Sequence, residues 1–175
     1  MSLAIRPAAE DLPAFYHGYV AKADGTDIPD AMRLASDGLH SVLRNFPTER
    51  EEYSYAAGKW TVKDVVQHII DAERIFAYRA LRFARNDSAA LAGFEENDYV
   101  PEALTGRRTL KDLLEEHDLV RSSSIVLFRS FPLKVLDRAG TANGRSITVR
   151  AIGWVIAGHA NHHSRIIAER YMVGS

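Results

Sequence analysis

Two histidines one helical turn apart stand in the stretch Trp154-Val-Ile-Ala-Gly-His-Ala-Asn-His-His-Ser-Arg-Ile-Ile-Ala-Glu-Arg-Tyr171. Ile152, Ile156, His159, His163, Ile166 and Ile167 recur at steps of three and four, so on a helix they share one face. Residues at i and i+4 on such a face have Cβ atoms about 5–6 Å apart. Two imidazoles at that spacing can grip one metal ion, as in the zinc-protease motif. The glutamate of that motif is missing, because Ala160 follows His159. A catalytic metal needs at least one more ligand. The best candidate is His68, in Val65-Val-Gln-His-Ile-Ile-Asp-Ala-Glu73, and His117 is a weaker one. The alternative is that these are core histidines satisfied by hydrogen bonds, and for His117 that reading is favoured.

Three neutral imidazoles without a thiolate suit Zn, Ni, Fe, Co or Mn, and ligand type alone does not choose among them. Such a set leaves a coordination position open for water or substrate. Water or a thiol held there becomes a nucleophile at neutral pH. Each ligating ring then needs an acceptor for its second N–H. Asp71 is the nearest by helical position and Glu73 follows; either could equally pair with Arg74 or Arg79. His162 lies about 100° round the helix from His163. It is a candidate base or outer partner, ranked below the two ligands on the apolar face.

Composition narrows the function classes. The 175 residues hold 46% hydrophobic and 26% charged residues and carry a net charge of −1 from 22 basic and 23 acidic side chains. This is an ordinary globular composition with no basic excess to attract nucleic acid or an anionic membrane. There is no cysteine, so disulfides and thiolate ligands are excluded. No run approaches the roughly 20 apolar residues that cross a bilayer. The N-terminus turns acidic early and does not read as a secretory signal, so the expected location is cytoplasmic.

Four long helices are needed to place these residues. The first should run from about Ile28 to Phe46, with Asp27 as cap, Pro29 in the first turn and Pro47 as stop. His40 falls off its apolar stripe and is expected to be exposed. The second should span Val62 to about Arg85 behind a Thr61/Asp64 capping box, pointing His68 inward. Thr109 and Asp112 repeat that pattern before a third helix ending near Phe131. A fourth should start near Thr148 and reach Met172. Residues 88–108 show no periodicity and read as an ordered loop anchored by aromatics, and 133–145 read as turns. Residues 1–27 form an arm whose Phe15, Tyr16, Tyr19 and Val20 should pack across the body, or cover a pocket mouth. Trp60, Phe94, Tyr99 or those arm aromatics could border a substrate pocket. The expected fold is an all-α four-helix bundle with an N-terminal arm and long connections, one domain over 1–175 with the bundle at 28–173.

Several segments resemble the DinB/YfiT-like superfamily of metal-dependent enzymes. They are Gly58-Lys-Trp-Thr-Val-Lys-Asp-Val-Val-Gln-His68, Ile70-Asp-Ala-Glu-Arg-Ile-Phe-Ala-Tyr-Arg-Ala-Leu-Arg82, Gly93-Phe-Glu-Glu-Asn-Asp-Tyr-Val100 and Ser146-Ile-Thr-Val-Arg-Ala-Ile-Gly-Trp-Val-Ile-Ala-Gly-His-Ala-Asn-His-His163. The resemblance implies up-down-down-up connectivity, one divalent metal per chain (typically nickel or zinc) on His68, His159 and His163, and a homodimer. It also implies chemistry on a small-molecule electrophile. The expected form is S-transfer from a low-molecular-weight thiol, as in bacillithiol- and mycothiol-dependent members, with hydrolysis as the alternative. A non-catalytic, metal-stabilised helical dimer or a small-molecule-binding module is the reading from another class.

Overall fold

The computed structural model describes residue 3 and residues 5–172. The remaining arm residues and the expected bundle limit at residue 173 lie outside the described residues. The elements are α1 (His17–Val20), α2 (Ile28–Leu43), α3 (Val62–Ala84), α4 (Glu96–Ala103), α5 (Leu110–Ser130), β1 (Ala139–Ala142), β2 (Arg145–Thr148) and α6 (Val149–Arg170).

The four long helices begin where side chains can satisfy their free N–H groups. Asp27 accepts from the Asp30 amide ahead of α2, and Thr148 from the Ala151 amide ahead of α6. At α3 and α5 the boxes are reciprocal. Thr61 and Thr109 accept from the third helical amide, while Asp64 and Asp112 reach back to the cap amides. The first long helix ends at Leu43, three residues short of the expected Phe46.

Helix α2 packs on α5 and α6, and α3 packs on the same two. Helices consecutive in the chain, α2 with α3 and α5 with α6, therefore lie across the diagonals. This placement accommodates up-down-down-up connectivity, with long connections taking up the crossings. Residues 149–160 of α6 are all buried. They pack among Ile28, Met32 and Leu39 of α2, Ile69 and Phe83 of α3 and Phe128 of α5, each under 2% exposed. No helix among the described residues is long and apolar enough to cross a membrane.

Two connections carry more structure than their sequence suggested. Within 88–108, α4 forms behind a Glu95 cap and stops at Leu104, which turns left-handed at φ 50°. Its eight residues are too few and too polar to show a helical period. Within 133–148, β1 and β2 pair as an antiparallel hairpin closed by Asn143 and Gly144, both at positive φ (51° and 69°). Asn-Gly is the dipeptide that suits such a turn, and the strands are too short to show alternation. Leu91 joins the hairpin through Leu91 N–H to Thr141 O (2.9 Å) and Asn143 N–H to Leu91 O (3.0 Å).

One charge pair crosses the core. Glu73 of α3 and Arg121 of α5 are 2% and 3% exposed, with Oε2 and Nη2 2.8 Å apart. Arg121 Nη1 also donates to Met32 O of α2 at 3.1 Å. Burial pushes the Glu73 carboxyl up and Arg121 opposes it. Removing one partner of a buried pair strands the other charge, which costs about 3–5 kcal/mol, whereas replacing both with apolar groups is often neutral. Arg121→Met is therefore expected to lower unfolding free energy in urea by about 3–5 kcal/mol, and Glu73→Leu added to it to recover most of the loss.

Candidate metal centre

His68 stands on the second turn of α3, and His159 and His163 one turn apart on α6. Packing of α3 on α6 brings the three rings into a triangle with centroid separations of 4.9 Å (68–159), 4.8 Å (68–163) and 4.6 Å (159–163). His68 Nε2 and His159 Nε2 are 3.0 Å apart. One offered nitrogen from each ring lies within 4.8 Å of the others.

The environment holds these rings neutral. Burial drives His68 down from 6.5 to about 4 and His163 to about 3. His159 is pushed well below 6.5 by burial first and then by His163 and His68. Neutral imidazole is the form that binds metal. The donor set is all nitrogen, preorganised by two packed helices and free of competing thiolates. It fits a divalent first-row metal ion, and an all-imidazole set does not by itself choose which one.

The arm completes one wall. The Tyr19 ring meets His159 edge-on at 5.3 Å and His162 at 5.3 Å, and Tyr16 meets Phe76 at 5.8 Å. The arm can come this close because residue 158 has no side chain: a Cβ on Gly158 would overlap the Tyr19 carbonyl. Asn161 Nδ2 donates to Lys22 O at 2.8 Å and fixes the end of the arm. Phe76 closes on His159 at 6.2 Å, and Trp60 on His68 at 5.0 Å. Packing of the arm, Tyr19 included, agrees with the expectation from sequence; Gly158 and Phe76 are additions from the structure. The visible signal was the Gly-His pair itself, since a glycine beside an inward residue of a helix usually answers to a close approach.

Two recesses reach the triangle from outside. A narrow cleft brings Asp64, Gln67, His68, Asp71, Phe94, Glu96 and Tyr99 together. An open cavity of about 230 Å³ is lined by Tyr55, Lys59, Trp60, Asn97, His163 and Tyr171, among others. The expected pocket aromatics thus divide: Phe94 and Tyr99 line the cleft with His68, while Trp60, whose ring packs on His68, lines the cavity with His163.

The other expected site residues separate. Asp71 lies in the cleft wall with His68, accepts from Gln67 Nε2 at 2.9 Å, and has its carboxyl pushed up by burial. Glu73 points the other way and faces Arg121, not a triangle imidazole. His162 is half-buried, 5.0 Å from the His163 ring, and its pKa is lowered by burial and then by Lys22. His117 is fully buried on α5 but groups with His40 and Asp118, so it is no fourth member of the triangle. His40 is half-buried, not exposed.

Two outcomes follow. Gly158→Ala forces the arm off α6, which is expected to cost about 1–3 kcal/mol and to make the Tyr19 region protease-sensitive. In metal-free protein the unfolded chain protonates these rings near 6.5, whereas folded His68 and His163 resist to about 4 and about 3. The unfolded state then binds more protons, so stability is flat above that range and falls as pH drops through it. Urea midpoints at about pH 7.5 and about pH 5 should show the loss.

Comparison with known proteins agrees with this fold. The family model of the DinB superfamily matches residues 31–167. A protein of Geobacillus thermodenitrificans (strain NG80-2), named "Putative metal-dependent hydrolase", is 34% identical over 77 residues, 44% of this chain. That match spans only 39% of the relative's own length. YfiT from Bacillus subtilis, described as "a probable metal-dependent hydrolase with an unusual four-helix bundle topology", superposes with a TM-score of 0.73. It shares 15% identity, over 94% of this chain and 90% of that one, a likeness of fold. The family match spans most of the bundle and includes all three triangle histidines: the chain belongs to the DinB superfamily.

Proposed function

We propose that this chain is a metal-dependent hydrolase of a small molecule, with His68, His159 and His163 as the ligands of one divalent ion, nickel or zinc. The observation that carries this is the convergence of three neutral imidazoles at the meeting of a cleft and an open cavity. A structural ion would be enclosed by four protein ligands. Three leave a position for chemistry, and the recesses give substrate a way in. The name of the Geobacillus relative points the same way.

An ion held there would supply Lewis acidity and a nucleophile at neutral pH. The chain's own groups do the rest. Asp71, its carboxyl raised by burial and oriented by Gln67, is the proton acceptor in the cleft beside His68. A raised carboxylate is better matched to proton transfer near neutrality than an ordinary one. Tyr19, Phe76 and Trp60 cover the apolar side of the triangle and keep bulk water from it. Lys59 and Asn97 on the cavity wall offer polar contacts to a substrate.

Transfer of a low-molecular-weight thiol to an electrophile is the second form of the same chemistry, with a thiol in place of water. The sequence resemblance supports it, and a homodimer with it. Metal-loaded protein assayed on small esters, amides and alkyl electrophiles, with and without bacillithiol, mycothiol or glutathione, separates the two. Turnover is expected without thiol; strict dependence on thiol would replace hydrolysis with transfer. Asp71→Asn is expected to lower kcat by about 10²-fold or more with metal content unchanged. Retention of full kcat would remove Asp71 from the reaction.

A further inference from the structure

We propose that His40, His117 and Asp118 form a second divalent-metal site, of the zinc type, clamping α2 to α5. It is built on a different helix pair from the histidine triangle and does not depend on the hydrolase reading.

The three side chains each offer one ligand atom within 4.8 Å of the others. His40 Nε2 lies 2.7 Å and His117 Nδ1 3.6 Å from the same atom, Asp118 Oδ1. Two imidazoles and a carboxylate are a familiar zinc donor set, and each donor must sit about 2.0–2.2 Å from the ion. His40 and Asp118 are hydrogen-bonded to each other and their side chains are 36% and 50% exposed, so they can part by the few tenths of an ångström that two donors on one ion need.

The second observation is His117 itself. It is 0% exposed, and neither ring nitrogen has a hydrogen-bond partner among the described residues. The 3.6 Å approach to Asp118 is too long to count as one. A buried polar group without a partner carries its full desolvation cost. A ring that merely filled core space would be replaceable by an apolar side chain without that penalty. An ion between Asp118, His40 and His117 gives a buried nitrogen its partner. The solvent side, where His40 and Asp118 emerge, leaves room for entry and for water to complete the coordination.

The test is metal stoichiometry on untagged, chelator-stripped protein reloaded with a stoichiometric excess of Zn, desalted and measured by ICP mass spectrometry. Wild type is expected to hold two ions per chain. His40→Ala and Asp118→Asn alter partly exposed residues, so the fold is retained, as circular dichroism will verify; each should lower the count to one. In a His68→Ala/His163→Ala background one ion should remain, and Zn should raise Tm by several degrees. Adding His40→Ala should abolish both the ion and the shift. One ion in wild type that persists in His40→Ala, or a second ion indifferent to His40→Ala and Asp118→Asn, overturns the site. Failure of the triangle alone reads differently: one ion in wild type, lost in His40→Ala and kept in the triangle variant.

Discussion

The burial of three uncharged imidazoles between α3 and α6 is the constraint on which the rest of the site depends. Imidazoles taken from water lose hydration and need a partner. His68 and His159 meet nitrogen to nitrogen at 3.0 Å. Such a contact shares a single proton between two acceptors, or directs both lone pairs toward a common ion. The low pKa values of the rings come from burial, and desolvation that disfavours protonation leaves them in the neutral form a metal ion would need.

The surrounding fold serves that convergence. Reciprocal caps fix where α3 begins, and with it the angular position of His68. A helix with twelve consecutive buried residues, 149–160, carries His159 at the inner end of the face and His163 at its outer, half-buried end. The gradient leaves His159 inside the bundle and His163 at the cavity. Gly158 then admits the arm, and Tyr19 covers the ring next to it. The arm, the bundle and the site are therefore one packing problem.

Much of this was legible in the chain. The i, i+4 spacing of His159 and His163 sets their shared face by helical geometry alone, and the Thr-x-x-Asp boxes mark two helix starts to the residue. His68 could be joined to them because it too lies inward on a periodic helix. What stayed hidden depends on tertiary proximity or on segments too short to show a period. Glu73 is two residues from Asp71, yet its partner is an arginine 48 positions away on another helix. His117 lies on a core stripe, as the triangle histidines do, and only the packing of α5 on α2 shows that His40 joins it and the adjacent Asp118. Helix α4 and the β1–β2 hairpin are held by contacts to α3, where alternation and amphipathicity have little length in which to appear.

The most direct measurement is an anomalous-difference map from crystals grown with Ni or Zn, collected on both sides of the absorption edge. The account predicts an edge-dependent peak bounded by the ring nitrogens of His68, His159 and His163, with solvent reaching its open side from the cavity. A map with no peak there, the imidazoles joined only by hydrogen bonds, would contradict it and leave the triangle as a buried polar cluster of a helical bundle.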